Sequence, residues 1–283
     1  MAVTYETLMN WKIPDVKVPH TKRDTMLYAL GLGFGADPLD EKQLRFVYEK
    51  NLLSLPTMAV VLGAPGSWIR ETGCDYTKLL HGEQGIVMHR PIPVEGTLIG
   101  RTKVVGVIDK GQGKGALVYT TRELTDASSG ALICAQTSTV FLRGDGGLGG
   151  PSGPTKPIHE LPDRAPDKSH DIPTLPQQAL IYRLSGDYNP LHADPAVGRA
   201  AGFKMPILHG LCTFGICGHA VLKAFCDYDP ARLKSFALRF TSPVMPGETI
   251  RTEMWKDGNV VSFRATVVER NVVAVNNGRA EIA

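Results

Sequence analysis

The second half of this sequence repeats the landmarks of the first at a nearly fixed distance, which limits the chain to duplicated architectures. Tyr28-Ala29-Leu30-Gly31 matches Tyr182-Arg183-Leu184-Ser185 at an offset of 154, and Pro38-Leu39-Asp40 matches Pro190-Leu191-His192 at 152. Leu55-Pro56-Thr57 matches Met205-Pro206-Ile207 at 150, and the turn at Gly96 before Leu98-Ile99 matches Gly247 before Thr249-Ile250 at 151. A near-constant offset is the mark of a repeated structural unit with small insertions. Between the copies, Gly144 to Asp171 carries Gly146, Gly147, Gly149, Gly150, Pro151, Gly153, Pro154, Pro157, Pro162 and Pro166. So many breakers among so few apolar residues cannot support a helix or a central strand. The expected organisation is an N-terminal half over 1–143, a surface linker over 144–171 and a C-terminal half over 172–283.

Each half has the same internal order. In the second, Pro206 opens an apolar run from Ile207 to Cys226 in which Leu208, Leu211 and Phe214 recur at helical spacing. Gly210, Gly215 and Gly218 would let that buried helix approach a sheet closely. Strand patterns follow over Ser235–Thr241, Thr249–Trp255, Val260–Val268 and Val272–Ala283. The first half repeats this, with Pro56 to Leu62 opening the helix and strands over Gly85–His89, Leu98–Ile108, Ala116–Leu124 and Leu132–Phe141. One helix followed by a run of antiparallel strands is an α+β pattern.

Charge and composition exclude several classes. With 31 basic against 28 acidic residues and no Lys/Arg block, nothing resembles a nucleic-acid arm. No apolar run approaches the ~20 residues of a membrane span, and Met1 to Glu6 lacks a signal-peptide profile. Five cysteines (Cys74, Cys134, Cys212, Cys217 and Cys226) without a CxxC pair indicate neither a disulfide framework nor a zinc knuckle. A reducing, cytoplasmic setting is expected, and Glu281-Ile282-Ala283 is no peroxisomal address.

The segment richest in chemistry is Tyr182-Arg183-Leu184-Ser185-Gly186-Asp187-Tyr188-Asn189-Pro190-Leu191-His192-Ala193-Asp194-Pro195, continuing to Pro206-Ile207-Leu208-His209-Gly210. Asn189-Pro190 and Asp194-Pro195 force turns, since proline disfavours a helical conformation in the residue before it. Such a loop can bring Asp187, Asn189 and His192 around one water to hold it, take a proton from it and deliver one elsewhere. The N–H of Gly210, near a helix start, has no internal partner and sits at the positive end of the helix dipole, where it can stabilise a carbonyl oxygen.

These strings resemble the hydratase 2 motif of the MaoC-like family, in which Tyr-Arg-Leu-Ser-Gly-Asp, Asn-Pro-Leu-His and Pro-Ile-Leu-His-Gly occur in this order. In the first half, Tyr28-Ala29-Leu30-Gly31, Tyr48-Glu49, His81-Gly82-Glu83-Gln84 and Asp109-Lys110-Gly111 are similar to the hydratase 2 unit of peroxisomal multifunctional enzymes. The resemblance implies a double hot dog, each half a long helix wrapped by a curved antiparallel sheet. It also implies a lyase of fatty-acid β-oxidation or related acyl-CoA metabolism, adding water to trans-2-enoyl-CoA to give the (3R)-3-hydroxyacyl product. Asp187 and His192 would be the acid/base pair, Asn189 would help hold the water, and Gly210 would bind the thioester oxygen. Glu49, His81, Gly82, Lys110 and Phe240 would line the acyl or CoA site. No cofactor is implied, because CoA belongs to the substrate, and a homodimer is the expected assembly. Asp40 stands where the second half has His192, so one site per chain is expected.

Other readings are weaker. Asp187, His192, Asp194 and His209 match no known metal-ligand spacing, and His209 reads first as a core histidine bonding backbone. Gly31-Leu32-Gly33-Phe34-Gly35 lacks the full dinucleotide fingerprint, and Gly111-Gln112-Gly113-Lys114-Gly115 reads as a hairpin loop. The rival functions are a hot-dog thioesterase and a non-catalytic acyl-thioester binding subunit. The residues leave open the acyl group (straight-chain, branched or sterol side chain), CoA against an acyl-carrier protein, and which of Asp187 and His192 moves which proton.

Overall fold

In the computed structural model, which describes residues 3–283, the duplication appears as one ten-stranded antiparallel sheet. The first half contains α1 (Tyr5–Met9), β1 (Val16–His20), α2 (Lys22–Leu30), α3 (Glu41–Val47), β2 (Leu79–Met88), β3 (Gly96–Asp109), β4 (Ala116–Asp126) and β5 (Leu132–Leu142). The second contains β6 (Lys168–Pro173), α4 (Gln178–Tyr182), α5 (Pro195–Ala200), α6 (Gly210–Phe225), β7 (Leu233–Phe240), β8 (Thr249–Asp257), β9 (Val260–Val267) and β10 (Val272–Ile282).

The strand order is β1-β3-β4-β5-β2-β7-β10-β9-β8-β6. Outward from the β2/β7 seam, both halves therefore run through the same sequence of equivalent strands. At the seam Gly85 pairs with Ala237, 152 positions apart, which is also the offset of the Pro38/Pro190 match. A Cβ on Gly85 would lie 2.7 Å from Thr137 Oγ1 and 3.4 Å from the Ala237 Cβ, so the halves meet closely there. Arg239 Nη2 donates to Glu83 Oε1 across the seam at 2.6 Å, while Thr139 Oγ1 donates to Glu83 Oε2 at 2.7 Å. Behind the sheet the repeated tyrosines Tyr28 and Tyr182 are fully buried, with ring centroids 5.9 Å apart.

The helix content departs from the expectation. α6 begins at Gly210, three residues after Ile207, because Leu208 N–H is taken by Val244 O and His209 is extended (φ −58°, ψ 133°). In the first half no long helix forms from Pro56; a single 3-10 turn, Pro56–Val60, stands in its place. The reason lies in the residues equivalent to α6, which include Gly63 and Gly66 at positive φ (60° and 65°) and Pro65. Proline removes a helical donor and left-handed glycines turn the chain away. The glycines of α6 also pack differently from expectation. Gly215 faces Leu32 and the Tyr28 hydroxyl, and Gly218 faces Thr57, so both admit segments of the first half in place of the sheet.

The linker is shorter than expected, since 168–171 belong to β6, which pairs with β8. Residues 144–167 contain no helix or strand and are tied down: Trp255 Nε1 donates to Arg164 O, Asn277 Nδ2 to His159 O, and His159 Nε2 bonds Ser262 Oγ. The edge strands β1 and β6 were not legible in the sequence. No helix among the described residues is long and apolar enough to cross a membrane.

Candidate active site

Local sequence shapes the polar loop step by step. Gly186, at φ 122°, ends the turn after α4. Asn189 Oδ1 accepts from Leu191 N–H and caps the 3-10 turn Pro190–His192, and Asp194 Oδ1 accepts from Ala196 N–H to cap α5. These caps use short polar side chains just before prolines pre-set for the first helical position. The turn delivers His192 to the extended run ahead of α6, where its Nδ1 lies 2.9 Å from Ile207 O. A carbonyl only accepts, so Nδ1 carries the proton and Nε2 is left with its lone pair in the neutral ring.

The loop brings Asp187, His192 and His209 together, with one ligand-type atom from each within 4.8 Å of the others. A single water spans that separation with two hydrogen bonds of roughly 2.8 Å. His209 stacks on His192 (centroids 3.8 Å apart, 27° between planes), and its Nε2 donates to Asp187 O at 3.1 Å. His209 thus bonds backbone as expected and also braces both members of the pair. Burial lowers the His192 pKa, outweighing the Ile207 bond and the Asp187 charge. Burial, followed by the His192 field, pushes His209 down to about 4. Both rings are therefore neutral near pH 7, which suits proton acceptance by His192.

Asp187 and Asn189 line a cleft of about 510 Å³ together with Val60, Trp68, His81, Ser138 and Leu211. His192 is only 8% exposed and is not itself among the lining residues, whereas Asp187 beside it is. Leu211 is the second residue of α6, so the cleft reaches the helix N-terminus. The Gly210 N–H beside it has no hydrogen-bond partner among the described residues. Added at Gly210, a Cβ would touch the Phe240 ring at 3.4 Å. Phe240 in turn packs edge-on against His81 at 5.1 Å, and His81 Nε2 lies 3.1 Å from both Glu83 O and Ser138 Oγ.

The structure gathers Asp187, Asn189, His192, Gly210, His81 and Phe240 into one region, Phe240 backing Gly210 instead of lining the cleft. Gly82 sits at a β2 bulge near Thr139 O and does not line it. Glu49, exposed in the turn after α3, and Lys110, exposed at the β3–β4 hairpin, also contribute nothing to the cleft walls. Sequence reasoning missed Trp68, Ser138 and Leu211 as site residues, since their turn, strand and helix contexts mark them only as packing residues.

Residues 19–144 match the MFE-2 hydratase 2 N-terminal domain and residues 157–277 the MaoC like domain. The chain belongs to the MaoC-like hydratase 2 family, and its two-fold sheet around one long helix is the α+β double hot dog of that family. It is 45% identical to a probable enoyl-CoA hydratase 2 of Dictyostelium discoideum, covering 90% of this chain and 88% of the relative. It is also 40% identical to a peroxisomal enoyl-CoA hydratase 2 of Arabidopsis thaliana, covering 94% and 91%. The crystal structure of a MaoC-like dehydratase from Phytophthora capsici superposes with a TM-score of 0.87 at 35% identity, covering 99% and 98%.

Proposed function

We propose that this chain is a hydro-lyase that adds water to trans-2-enoyl-CoA to form (3R)-3-hydroxyacyl-CoA, within fatty-acid or related acyl-CoA metabolism. The observation that carries this reading is the meeting of Asp187 and His192 within 4.8 Å beside a cleft that reaches the unpartnered Gly210 N–H. The thioester oxygen accepts from Gly210 N–H, which draws electrons from C3 and is typically worth ~10²–10³ in rate. Water held by Asp187, with the Asn189 amide as a further donor, gives a proton to His192 Nε2 as its oxygen bonds to C3. The imidazolium, steadied by Asp187, then returns a proton to C2. Because His192 has one free nitrogen, both transfers occur on one face and the addition is syn.

The reaction requires no cofactor, and CoA enters as part of the substrate. Five free cysteines support a reducing compartment such as the cytoplasm. Exposed Leu180 and Leu184, on α4 and the turn after it, support a homodimer that covers them.

The test is a crotonyl-CoA hydration assay with chiral analysis of the product. (3R)-3-hydroxybutyryl-CoA is expected, with Asp187→Asn and His192→Gln each slowed by ~10²–10⁴. A (3S) product refutes the stereochemistry, and release of free CoA without hydration refutes the reaction.

A further inference from the structure

Inside the first half, the sheet face that a second long helix would have covered is unexpectedly polar. In register across β3, β4 and β5 lie Thr102, Arg122 and Gln136; the next row carries Thr120, Ser138 and, from β2, Gln84. Inward faces of antiparallel sheets are ordinarily apolar, as the neighbouring row of Leu124 and Cys134 is here. The polar rows wall a chamber of about 200 Å³ roofed by Val60, Pro65 and Trp68. His81, Ser138, Trp68 and Leu211 line both this chamber and the catalytic cleft, so the two are continuous.

Arg122 sets the chemistry of the chamber. Its Nη2 donates to Val60 O at 2.7 Å and to Gln136 Oε1 at 2.6 Å. Its Nε is shut off from solvent without a hydrogen-bond partner among the described residues, and so is Thr102 Oγ1. Burial draws the guanidinium pKa down to about 10, opposed only by the Cys134 thiol, so no carboxylate compensates the charge. The group remains cationic at neutral pH. A buried cation and unfilled donors favour a ligand that brings an anion. The nucleotide of CoA is too large for this chamber, which leaves the acyl end of the substrate.

We propose that the chamber receives the far end of the acyl chain and that this end carries a carboxylate, making ω-carboxy-2-enoyl-CoA thioesters the preferred substrate class. Arg122 pairs with that carboxylate through its Nη1 N–H groups, which make no hydrogen bond among the described residues and, unlike Nε and Thr102 Oγ1, are not shut off from solvent. This assignment rests on the hydratase reading above.

The test compares kcat/KM for trans-2-enedioyl-CoA thioesters of six to twelve carbons with that for 2-enoyl-CoA of matching length, with crotonyl-CoA as reference. At the length that reaches Arg122, the wild-type protein is expected to favour the dicarboxylic substrate about tenfold or more. Arg122→Met is expected to lower that ratio by about 10–100-fold. Preference for the hydrocarbon chain at every length overturns the proposal using the wild-type protein alone. An equal fall on both substrates in Arg122→Met also overturns it, assigning Arg122 to support of the Val60 segment. If wild-type protein fails on every thioester, crotonyl-CoA included, the hydratase reading beneath it falls.

Discussion

Replacing Gly210 by proline removes one hydrogen-bond donor from the site while leaving the helix start almost unchanged. Gly210 is the first residue of α6, a position where the N–H has no intrahelical acceptor and proline is favoured. The preceding residue suits it as well: His209 has ψ 133°, the extended value that a following proline demands, with φ −58° near the polyproline range. The added Cβ would sit 3.4 Å from the Phe240 ring, a tight contact that the ring edge can relieve by a small shift. Stability should therefore change by no more than about 1 kcal/mol. Catalysis should suffer far more, since one oxyanion donor is worth ~10²–10³ in kcat, or roughly 2.7–4 kcal/mol. Gly210→Ala supplies the control, because it adds the same Cβ and keeps the N–H. Crotonyl-CoA hydration and urea unfolding of the three proteins separate the effects. Two results would refute the reasoning: Gly210→Pro retaining activity within threefold of wild type, or Gly210→Ala losing as much as Gly210→Pro.

Three further predictions follow from the packing and the charges. Because burial lowers the His192 pKa and the proposed base is its neutral ring, kcat/KM should fall only as pH drops below the ordinary imidazole value of 6.5; an acid limb centred at or above 6.5 would contradict that role. Gly218→Ala places a Cβ 2.6 Å from Thr57 Cγ2 and should destabilise by about 1–3 kcal/mol, and adding Thr57→Ser should recover most of it in a double-mutant cycle. Asp109 is pushed up by burial but pulled lower overall by the backbone N–H groups of Gly111, Gly147 and Gly149. A depressed carboxylate stabilises above its unfolded pKa and loses that contribution as pH falls through its folded value, so the melting-temperature gap between wild type and Asp109→Asn should be wide at pH 7 and close toward pH 2.

Much of this architecture was legible because duplication left rigid landmarks. The offset of 150 to 154 anticipated the paired tyrosines and the two-fold strand order, and the alternating runs located eight of the ten strands. β1 and β6 escaped because five- and six-residue edge strands with internal or terminal proline carry little periodicity. The absence of a long helix after Pro56 was written in Gly63, Pro65 and Gly66, but short apolar matching to Pro206 concealed it. In the site, Asp187, Asn189, His192 and Gly210 lie within one stretch of chain whose turns force them together. Glu49 and Lys110 rested on local strings far from that stretch, and nothing in a local string fixes which way a distant loop faces. Arg122 was invisible for a related reason. A charged residue in a strand reads as solvent-facing until the sheet's neighbours show which face lies inward.

The two halves differ because one carries a long helix, α6, where the other has only the 3-10 turn Pro56–Val60. α6 supplies the unpartnered N–H groups of a helix start, and only the second half has an imidazole where the first has Asp40. Asp40 instead accepts from Lys42 and Gln43 N–H and caps α3, so the repeated position serves structure in one copy and chemistry in the other. The missing helix leaves volume over β2 to β5, and that volume opens onto the cleft at Leu211. Two intact copies would each bury their inner sheet face under a helix and leave no chamber beside the other's active loop. On the reading proposed above, the absence of that helix from the first half is what gives the site room for an acyl chain, and the side chains lining that room, Arg122 foremost, are where substrate choice can be altered without touching Asp187 or His192.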